Sequence, residues 1–417
     1  MTSGNTDLWS QLSLDLWVKI LSSLSVDPNL AWVQRDSMKR FIREQSAKQR
    51  LRLVCKKTNQ ALEDSQLSRC LFVREDVPND SIASLLQWTR RQRSSVQTLV
   101  AANGSPSLEA VLAALICDDT KLTSVYIVAA SPPAIHIMPC YRNLKEVDLR
   151  GHGDRVFDLQ PLQALVSLGK LCLQEGKFVG IDSLAHLTNL QVTDADVTAS
   201  ADCACVTVLS KLEVRNSHLK LHSQGLSACH GLRQLHLSEC HIGATVSEDN
   251  FCLRSGQRAQ LPVGMSALSA LTDLDIVFTG HDVDEIGMAW IASLKSLQIL
   301  GIHAQQYAEV PMCLSALTAL TQLWLTTSDG CNGLEPYLYV QIDWQAMQAL
   351  KQLFLGPGEF EFDSHFLHLV NCTGFERVAF DGIRPVSALS AMFMAAVTSS
   401  LAIRRPDVAC FLDQVNA

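Results

Sequence analysis

The chain has 417 residues, 47% of them hydrophobic but only 6% aromatic, and carries a formal net charge of −8. No apolar run reaches the roughly 18 residues that a membrane span needs, and an acidic body disfavours nucleic acid as the main ligand. Fourteen cysteines scattered along a chain whose first residues, MTSGNTDLWSQ, lack a basic segment followed by an apolar one read as reduced thiols in a cytoplasmic or nuclear protein.

In chain order, the first predicted element is a helix over LSLDLWVKILSSL, residues 12–24. Leu12, Leu16, Ile20 and Leu24 recur every four residues and Leu21 widens that stripe, the pattern of one buried helix face. A basic insert at about residues 30–50 follows, LAWVQRDSMKRFIREQSAKQR. Residues 1–57 hold ten Lys or Arg against five Asp or Glu, whereas the remainder holds 24 against 37. The basic head is expected to be a solvated helix face rather than a ligand site. A second helical spacing runs through LRLVCKKTNQAL, residues 51–62, and SQLSRCLFV, residues 65–73, leads onward.

From about residue 96 to about residue 380 the string Leu-x-x-Leu-x-Leu recurs. Clear copies begin at Leu144, Leu168, Leu209, Leu232, Leu271, Leu297, Leu320 and Leu350, and weaker ones at Val96, Leu122, Leu187 and Phe375. The intervals, mostly about 19 to 26 residues, resemble those of leucine-rich repeats. The expected fold class is therefore α/β, a leucine-rich-repeat solenoid with parallel strands on its concave face and right-handed crossovers. In LRQLHL, Leu232, Leu235 and Leu237 point inward and the intervening residues face outward. The return segments, such as PLQALVSLGKL after Gln160 and DWQAMQALKQL after Ile342, show helical spacing and predict a helix or short 3₁₀ turn on the outside. In two of them a proline opens the segment, at Pro262 and Pro311. Two longer intervals place loops at Ser247–Gln260 and Ser328–Val340.

The resemblance also implies a polar residue three positions after the last strand leucine, bridging adjacent turns. That position holds His152, Gly176, Ser217, Cys240, Thr279, Gln305 and Ser328, so no continuous Asn ladder is expected. The outward lane of the strands reads Tyr126, Asp148, Cys172, Gln191, Glu213, His236, Asp275, Gly301, Trp324, Phe354, Ala379. Arg150, Arg215, Ser238, His303 and Thr326 stand in the lane after it. Exposed aromatics on a parallel sheet are unusual unless something covers them, and tryptophan is enriched at binding hot spots. The candidate target-binding residues are Trp324 and Phe354, with His303, Asp273, Asp275, His236, Glu213, Arg215 and Asp148 contributing charge. The alternative is that the loop Ser328–Val340 covers the aromatic pair.

The last segment, residues 386–417, contains SALSAMFMAAVTSSLAI and predicts a helical cap. No Gly-rich phosphate loop, Gly-x-Ser-x-Gly or His-Glu-x-x-His occurs, so no enzyme, catalytic residue or cofactor is expected. Cys203 and Cys205, Cys229-His230, Cys240-His241, and His218 with His222 are the nearest approach to metal ligands. The strand alternation does not make four of them converge, and no metal is expected.

The head resembles an F-box. Leu12, Ser13, Leu14, Asp15 and Leu16 match the family's opening Leu-Pro-x-Glu-Leu, with serine in place of proline. Ile20, Leu21 and Leu24 match its Ile-Leu-x-x-Leu, and Leu53, Val54, Cys55 and Lys56 its Leu-Val-Cys-Lys. The resemblance implies a small all-α domain over residues 8–75, ahead of the solenoid over 76–385. It further implies a substrate receptor of a Skp–cullin–F-box ubiquitin ligase. Leu12, Leu16, Ile20, Leu21, Leu24, Leu53, Val54 and Cys55 would then meet a Skp-type adaptor, and through it a cullin, while the repeats hold an unidentified target protein. A repeat scaffold with a helical cap and no ubiquitin link is the alternative.

Overall fold

The computed structural model describes residues 70–73, 79–102, 106–117, 120–128, 130–199, 207–221, 225–244, 251–252, 263–278, 289–304, 308–310, 312–327, 337–372, 374–404 and 409–413. The expected F-box residues, from Leu12 to Cys55, lie outside the described residues. The chain forms two compact units, Met1–Asp148 and Leu149–Ala417.

In the first unit, strand β1 (Cys70–Val73) runs parallel to β2 (Thr98–Ala102), which runs parallel to β3 (Ser124–Val128). The sheet thus begins within the stretch that the sequence assigns to the head. The register aligns Leu71, Leu99 and Val125, all buried. The connections are α-helices: α1 (Asn79–Gln92), α2 (Pro106–Leu115) and α3 (Pro132–Ile137). On α2, Leu108, Val111, Leu112 and Leu115 occupy one face and are fully buried, the spacing expected of a helix laid on a core. Buried Tyr141 donates its hydroxyl to the Leu112 carbonyl, so the phenol's one polar atom is satisfied inside the core. Strand β4 (Glu146–Arg150) lies at the division between the units.

The second unit carries β5 (Lys170–Gln174), β6 (Asn189–Thr193), β7 (Lys211–Arg215), β8 (Gln234–Ser238) and β9 (Asp273–Phe278). It continues with β10 (Ile299–Ala304), β11 (Gln322–Thr327), β12 (Gln352–Leu355), β13 (Arg377–Asp381) and β14 (Ala409–Asp413). Each pairs with the next in parallel, without a slip of register. One inward lane reads Leu171, Leu190, Leu212, Leu235, Leu274, Leu300, Leu323, Leu353 and Val378, and all are buried. A parallel strand covered on one face this way shows alternating burial, as β8 and β11 do. These stacked parallel strands form an α/β leucine-rich-repeat solenoid; β5 to β13 each fall on a copy of Leu-x-x-Leu-x-Leu, whereas β14 adds a strand from within residues 386–417, expected to be a helical cap only.

Among the described residues, the return segments of this unit ahead of β13 are 3₁₀ turns rather than α-helices, among them Gln160–Ala164, Met312–Ala316, Trp344–Ala346 and Ser364–Asn371. The apolar spacing explains why. Leu159, Leu162, Leu165 and Leu168 stand three apart, all buried, and each amide from Leu162 onward donates to the carbonyl three residues before it, at 2.9, 2.9 and 3.0 Å. The same i→i+3 bonds link Ile181, Leu184 and Leu187; Met265, Leu268 and Leu271; and Leu314, Leu317 and Leu320. A period of three eclipses side chains on one edge of a 3₁₀ turn, whereas an α-helix needs 3.6. The two periods look alike over two turns, which is how the sequence admits both.

Corners between strand and return repeat too. Glu175, Asp194, Asn216 and Glu239 each follow an inner strand with positive φ, 48, 53, 44 and 47°. The first three donate their amide N–H to the last carbonyl of the next strand, from Thr193, Arg215 and Ser238. Ser217, at the position where many leucine-rich repeats carry asparagine, accepts from the Ala195 amide at 3.1 Å and donates to the Arg215 carbonyl. A hydroxyl therefore does there what an amide side chain would do. Gly176 is tightly enclosed; a Cβ would stand 3.2 Å from the Gly151 Cα and 3.1 Å from the Phe178 ring, so those neighbours would have to give slightly.

Outside the turns lie short second strands. Val156–Asp158, Lys177–Val179, Asp196–Thr198, His218–Leu221 and His241–Ala244 form one outer sheet, and Ala308–Val310, Tyr337–Val340, Gly358–Phe362 and Ile383–Pro385 another. Of the two expected loops, Phe251–Cys252 adds an antiparallel strand to the first sheet and Tyr337–Val340 belongs to the second. The rest of both loops lies outside the described residues. At the C-terminal side, α4 (Ala388–Arg404) buries Phe393, Met394, Val397 and Leu401 and packs on the turn Ser364–Asn371. Its buried Ser390 hydroxyl accepts from the Phe362 amide at 3.0 Å. Among the described residues no helix is long and apolar enough to cross a membrane.

Leu235 is fully buried in a central strand, so Leu235→Ala should cost about 2–5 kcal/mol of stability. Urea denaturation followed by circular dichroism measures it; a loss below about 1 kcal/mol would mean the lane is not a packed core.

Candidate functional site

The outward lane of β5–β13 is in register as the alternation requires: Cys172, Gln191, Glu213, His236, Asp275, Gly301, Trp324, Phe354 and Ala379 stand opposite one another in turn. The lane is not uniformly open. Cys172 and Ala379 are buried, Glu213 is at the edge of burial, and Trp324 is 42% exposed. Asp148 and Tyr126, expected on the open lane, are buried in the first unit, where the Tyr126 hydroxyl donates to Glu146 at 2.8 Å. Alternation alone does not reveal how far side chains on strands about 4.8 Å apart cover one another.

Three groups of side chains occupy the lane in the second unit. The first is a polar chain. The Cys172 thiol donates to Gln191 Oε1 at 3.4 Å, and Gln191 Nε2 donates to Glu213 Oε1 at 3.3 Å. Arg215 Nε stands 2.7 Å from the same Glu213 oxygen. Glu213 and Arg215, two residues apart on one strand, thus neutralise one another at the sheet surface.

The second group centres on Asp275. Its Oδ2 lies 3.3 Å from His236 Nδ1 and its Oδ1 2.8 Å from His303 Nε2. The Oδ1 atom is buried and receives no aligned N–H, so that second contact is close without hydrogen-bond geometry. His303 Nδ1 in turn meets the Thr326 hydroxyl. Burial alone would raise the Asp275 carboxyl, but the two imidazoles more than offset it and hold it well below the usual carboxylate range. Asp273, on the same face two residues earlier, moves the other way. Burial raises it, the Asp275 charge adds to that, and His236 and Lys211 oppose. The paired aspartates are therefore unlike: one is a fixed anion clamped by imidazoles, the other is less readily ionised.

The third group is aromatic. The rings of Trp324 and Phe354 lie with centroids 5.5 Å apart and planes at 45°, within the range of favourable aromatic pairs. On the other side of Trp324 the lane holds Gly301. A Cβ there would stand 2.6 Å from Asp275 Oδ1 and 3.2 Å from His303 Nε2, so glycine makes room for the clamp beside the indole. Sequence reading placed Gly301 in the lane without this role and missed Thr326 as the partner of His303. Both depend on side-chain reach between strands. Cys229 and Cys240 are buried and His230 is exposed, while Cys203, Cys205 and His222 lie outside the described residues.

No family model matches the chain, and no curated protein matches it. Solved structures do. An internalin from Listeria monocytogenes is 15% identical over 86% of this chain and 97% of its own, with a TM-score of 0.45. A leucine-rich-repeat protein of Leptospira interrogans is 15% identical over 85% and 98%, at 0.41. The APL1 leucine-rich repeat domain is 12% identical over 76% and 81%, at 0.44.

Asp275 has a depressed folded pKa, so its contribution to stability is present above the unfolded carboxylate value of about 3.9 and is lost as pH falls through the lower folded value. Asp275→Asn should accordingly destabilise the protein at pH 7, with the gap to wild type narrowing below about pH 4. Denaturation midpoints across that range test it, and a gap independent of pH would contradict the clamp.

Proposed function

We propose that this chain is a non-catalytic protein-binding scaffold whose inner sheet face holds a partner around Trp324 and Phe354. The observation that carries this reading is the exposed indole, backed by a phenyl ring and set beside Asp275 with its two imidazoles. Exposed tryptophan on a rigid sheet offers apolar area at low entropic cost. The flanking Glu213, Arg215, Asp273, His236 and His303 present both signs of charge, which selects among partners more than it adds affinity.

In its finer form the reading is that of the substrate-recognition subunit of a Skp–cullin–F-box ubiquitin ligase. Support for this comes from the sequence of the head: Leu12, Leu16, Ile20, Leu21, Leu24, Leu53, Val54 and Cys55 would dock a Skp-type adaptor, and a cullin would join through it. The repeats would then hold a target protein near the ubiquitin-bearing enzyme and raise the effective concentration of its lysines. No chemistry of the chain's own is needed. The protein would work in the cytoplasm or nucleus, with no cofactor, nucleic acid or membrane as partner.

Two experiments separate the coarse and fine forms. A pull-down with a purified Skp-type adaptor should succeed with the full chain and fail with Leu16→Asp combined with Ile20→Asp; adaptor retained by that variant would sink the site assignment. A chain lacking residues 1–69, which keeps β1, is the companion control. For partners recovered by the full chain and confirmed with purified material, Trp324→Ala should weaken binding by about 2 kcal/mol, roughly 30-fold. Unchanged affinity for every such partner would move the binding face elsewhere.

A further inference from the structure

We infer that the outer face of the second unit carries a metal site built from Asp343, His365 and His368, suited to Zn²⁺. Each of the three residues offers a ligand atom, and these atoms lie within 4.8 Å of one another. All three side chains are half-buried. The Nδ1 atoms of both histidines are shielded from solvent and have no hydrogen-bond partner. Two shielded, unpaired ring nitrogens on residues that stand this close to a carboxylate are polar atoms left without partners in one small region. One cation would satisfy both nitrogens and the carboxylate together.

Local structure brings these residues together. Residues 364–371 form a 3₁₀ turn, in which side chains three apart eclipse. His365 and His368 therefore stack along one edge, their rings 5.4 Å apart and nearly perpendicular. Asp363 caps the turn by accepting from the His365 amide at 2.9 Å. Phe366, between the histidines, is fully buried, stacked on Phe362 at 4.0 Å and edge-on to Trp344 at 6.2 Å. That anchor prevents the turn from rotating and fixes the two imidazoles on its flank. Asp343 arrives from the preceding outer turn. Its amide donates to Ser315 Oγ at 2.8 Å, and its Oδ1 accepts from the Gln345 amide at 3.1 Å. The carboxylate is thus oriented by its own backbone cap, an arrangement of the kind that tunes metal ligands.

The donor set decides the ion. Two imidazoles with one carboxylate suit zinc and its transition-metal neighbours, whereas Ca²⁺ and Mg²⁺ prefer all-oxygen shells. A tetrahedral ion with ligand bonds of about 2.0–2.1 Å requires donor atoms about 3.4 Å apart. Separations of up to 4.8 Å would have to shorten toward that value on binding. Three protein ligands leave a fourth position for water. Because Asp343 precedes one outer turn and the histidines lie on the next, the ion would clip two successive repeats together.

Isothermal titration of chelator-stripped full-length protein with Zn²⁺, beside thermal melting with and without the ion, tests this. Wild type should take up one equivalent more than His365→Ala combined with His368→Ala, and its Tm should rise with Zn²⁺ by an increment that the variant lacks. Each protein's Tm without Zn²⁺ serves as its own reference, because the substitutions also remove the edge-on contact between the two rings. Should the double variant fail to fold, Asp343→Asn keeps the backbone cap and loses the anionic ligand. It should weaken uptake at this site by at least about 10- to 100-fold, the cost of losing even a group that only supports a ligand. Equal Zn²⁺ uptake and equal Tm increments in wild type and variants would overturn the proposal and assign any bound zinc to other residues.

Discussion

Everything in the second unit is governed by one spacing: neighbouring inner strands stand about 4.8 Å apart, so each repeat must travel out and return within the thickness of a single strand. The i→i+3 turn meets that limit. Its bonds, such as Leu165 to Leu162 and Leu168 to Leu165, satisfy the outer backbone in a narrow coil and place every third residue against the core. The corners obey the same limit. Glu175, Asp194 and Asn216 adopt left-handed φ because a sharp exit aims the next amide at the carbonyl of the neighbouring strand. With Glu239, the fourth corner, two of the four positions are glutamate, which gains nothing intrinsic from that conformation. The stack imposes the corner rather than the residue choosing it.

The candidate binding face inherits its precision from the same stack. Because no strand slips, Asp275 meets His236 from the strand before and His303 from the strand after, and Trp324 meets Phe354. A side chain on such a sheet has neighbours at fixed distance on both sides. Its electrostatic state is then set by residues remote in sequence, as the opposite displacements of Asp273 and Asp275 show.

Much of the repeat architecture was legible in the sequence because burial writes it twice, in the alternation of the strand and the recurrence of leucine. Even the weaker copies at Val96, Leu122, Leu187 and Phe375 precede true strands. The outward lane could be enumerated for the same reason. Openness could not, since it depends on the size of neighbours: Asp148 and Tyr126 are buried while Trp324 is not. The outer face was harder still. A spacing of three passes for a helix over short segments, and the His365-x-x-His368 pair becomes meaningful only once the turn is known to eclipse i and i+3. Asp343, more than twenty residues earlier, has no sequence signal linking it to that pair.

The three side-chain groups of the inner lane have a consequence for how such a surface changes over evolutionary time or in a designed library. Lane positions project away from the core, so each is in principle free to vary. Yet Gln191 with Glu213 and Arg215, Asp275 with its histidines and Thr326, and Trp324 with Phe354 are coupled by contact, and coupled positions do not contribute additively. Gly301 stands between the last two groups, and any larger residue there collides with the carboxylate of one of them. Recognition on this face therefore diversifies in blocks, with that glycine the fixed point around which two blocks must be exchanged together.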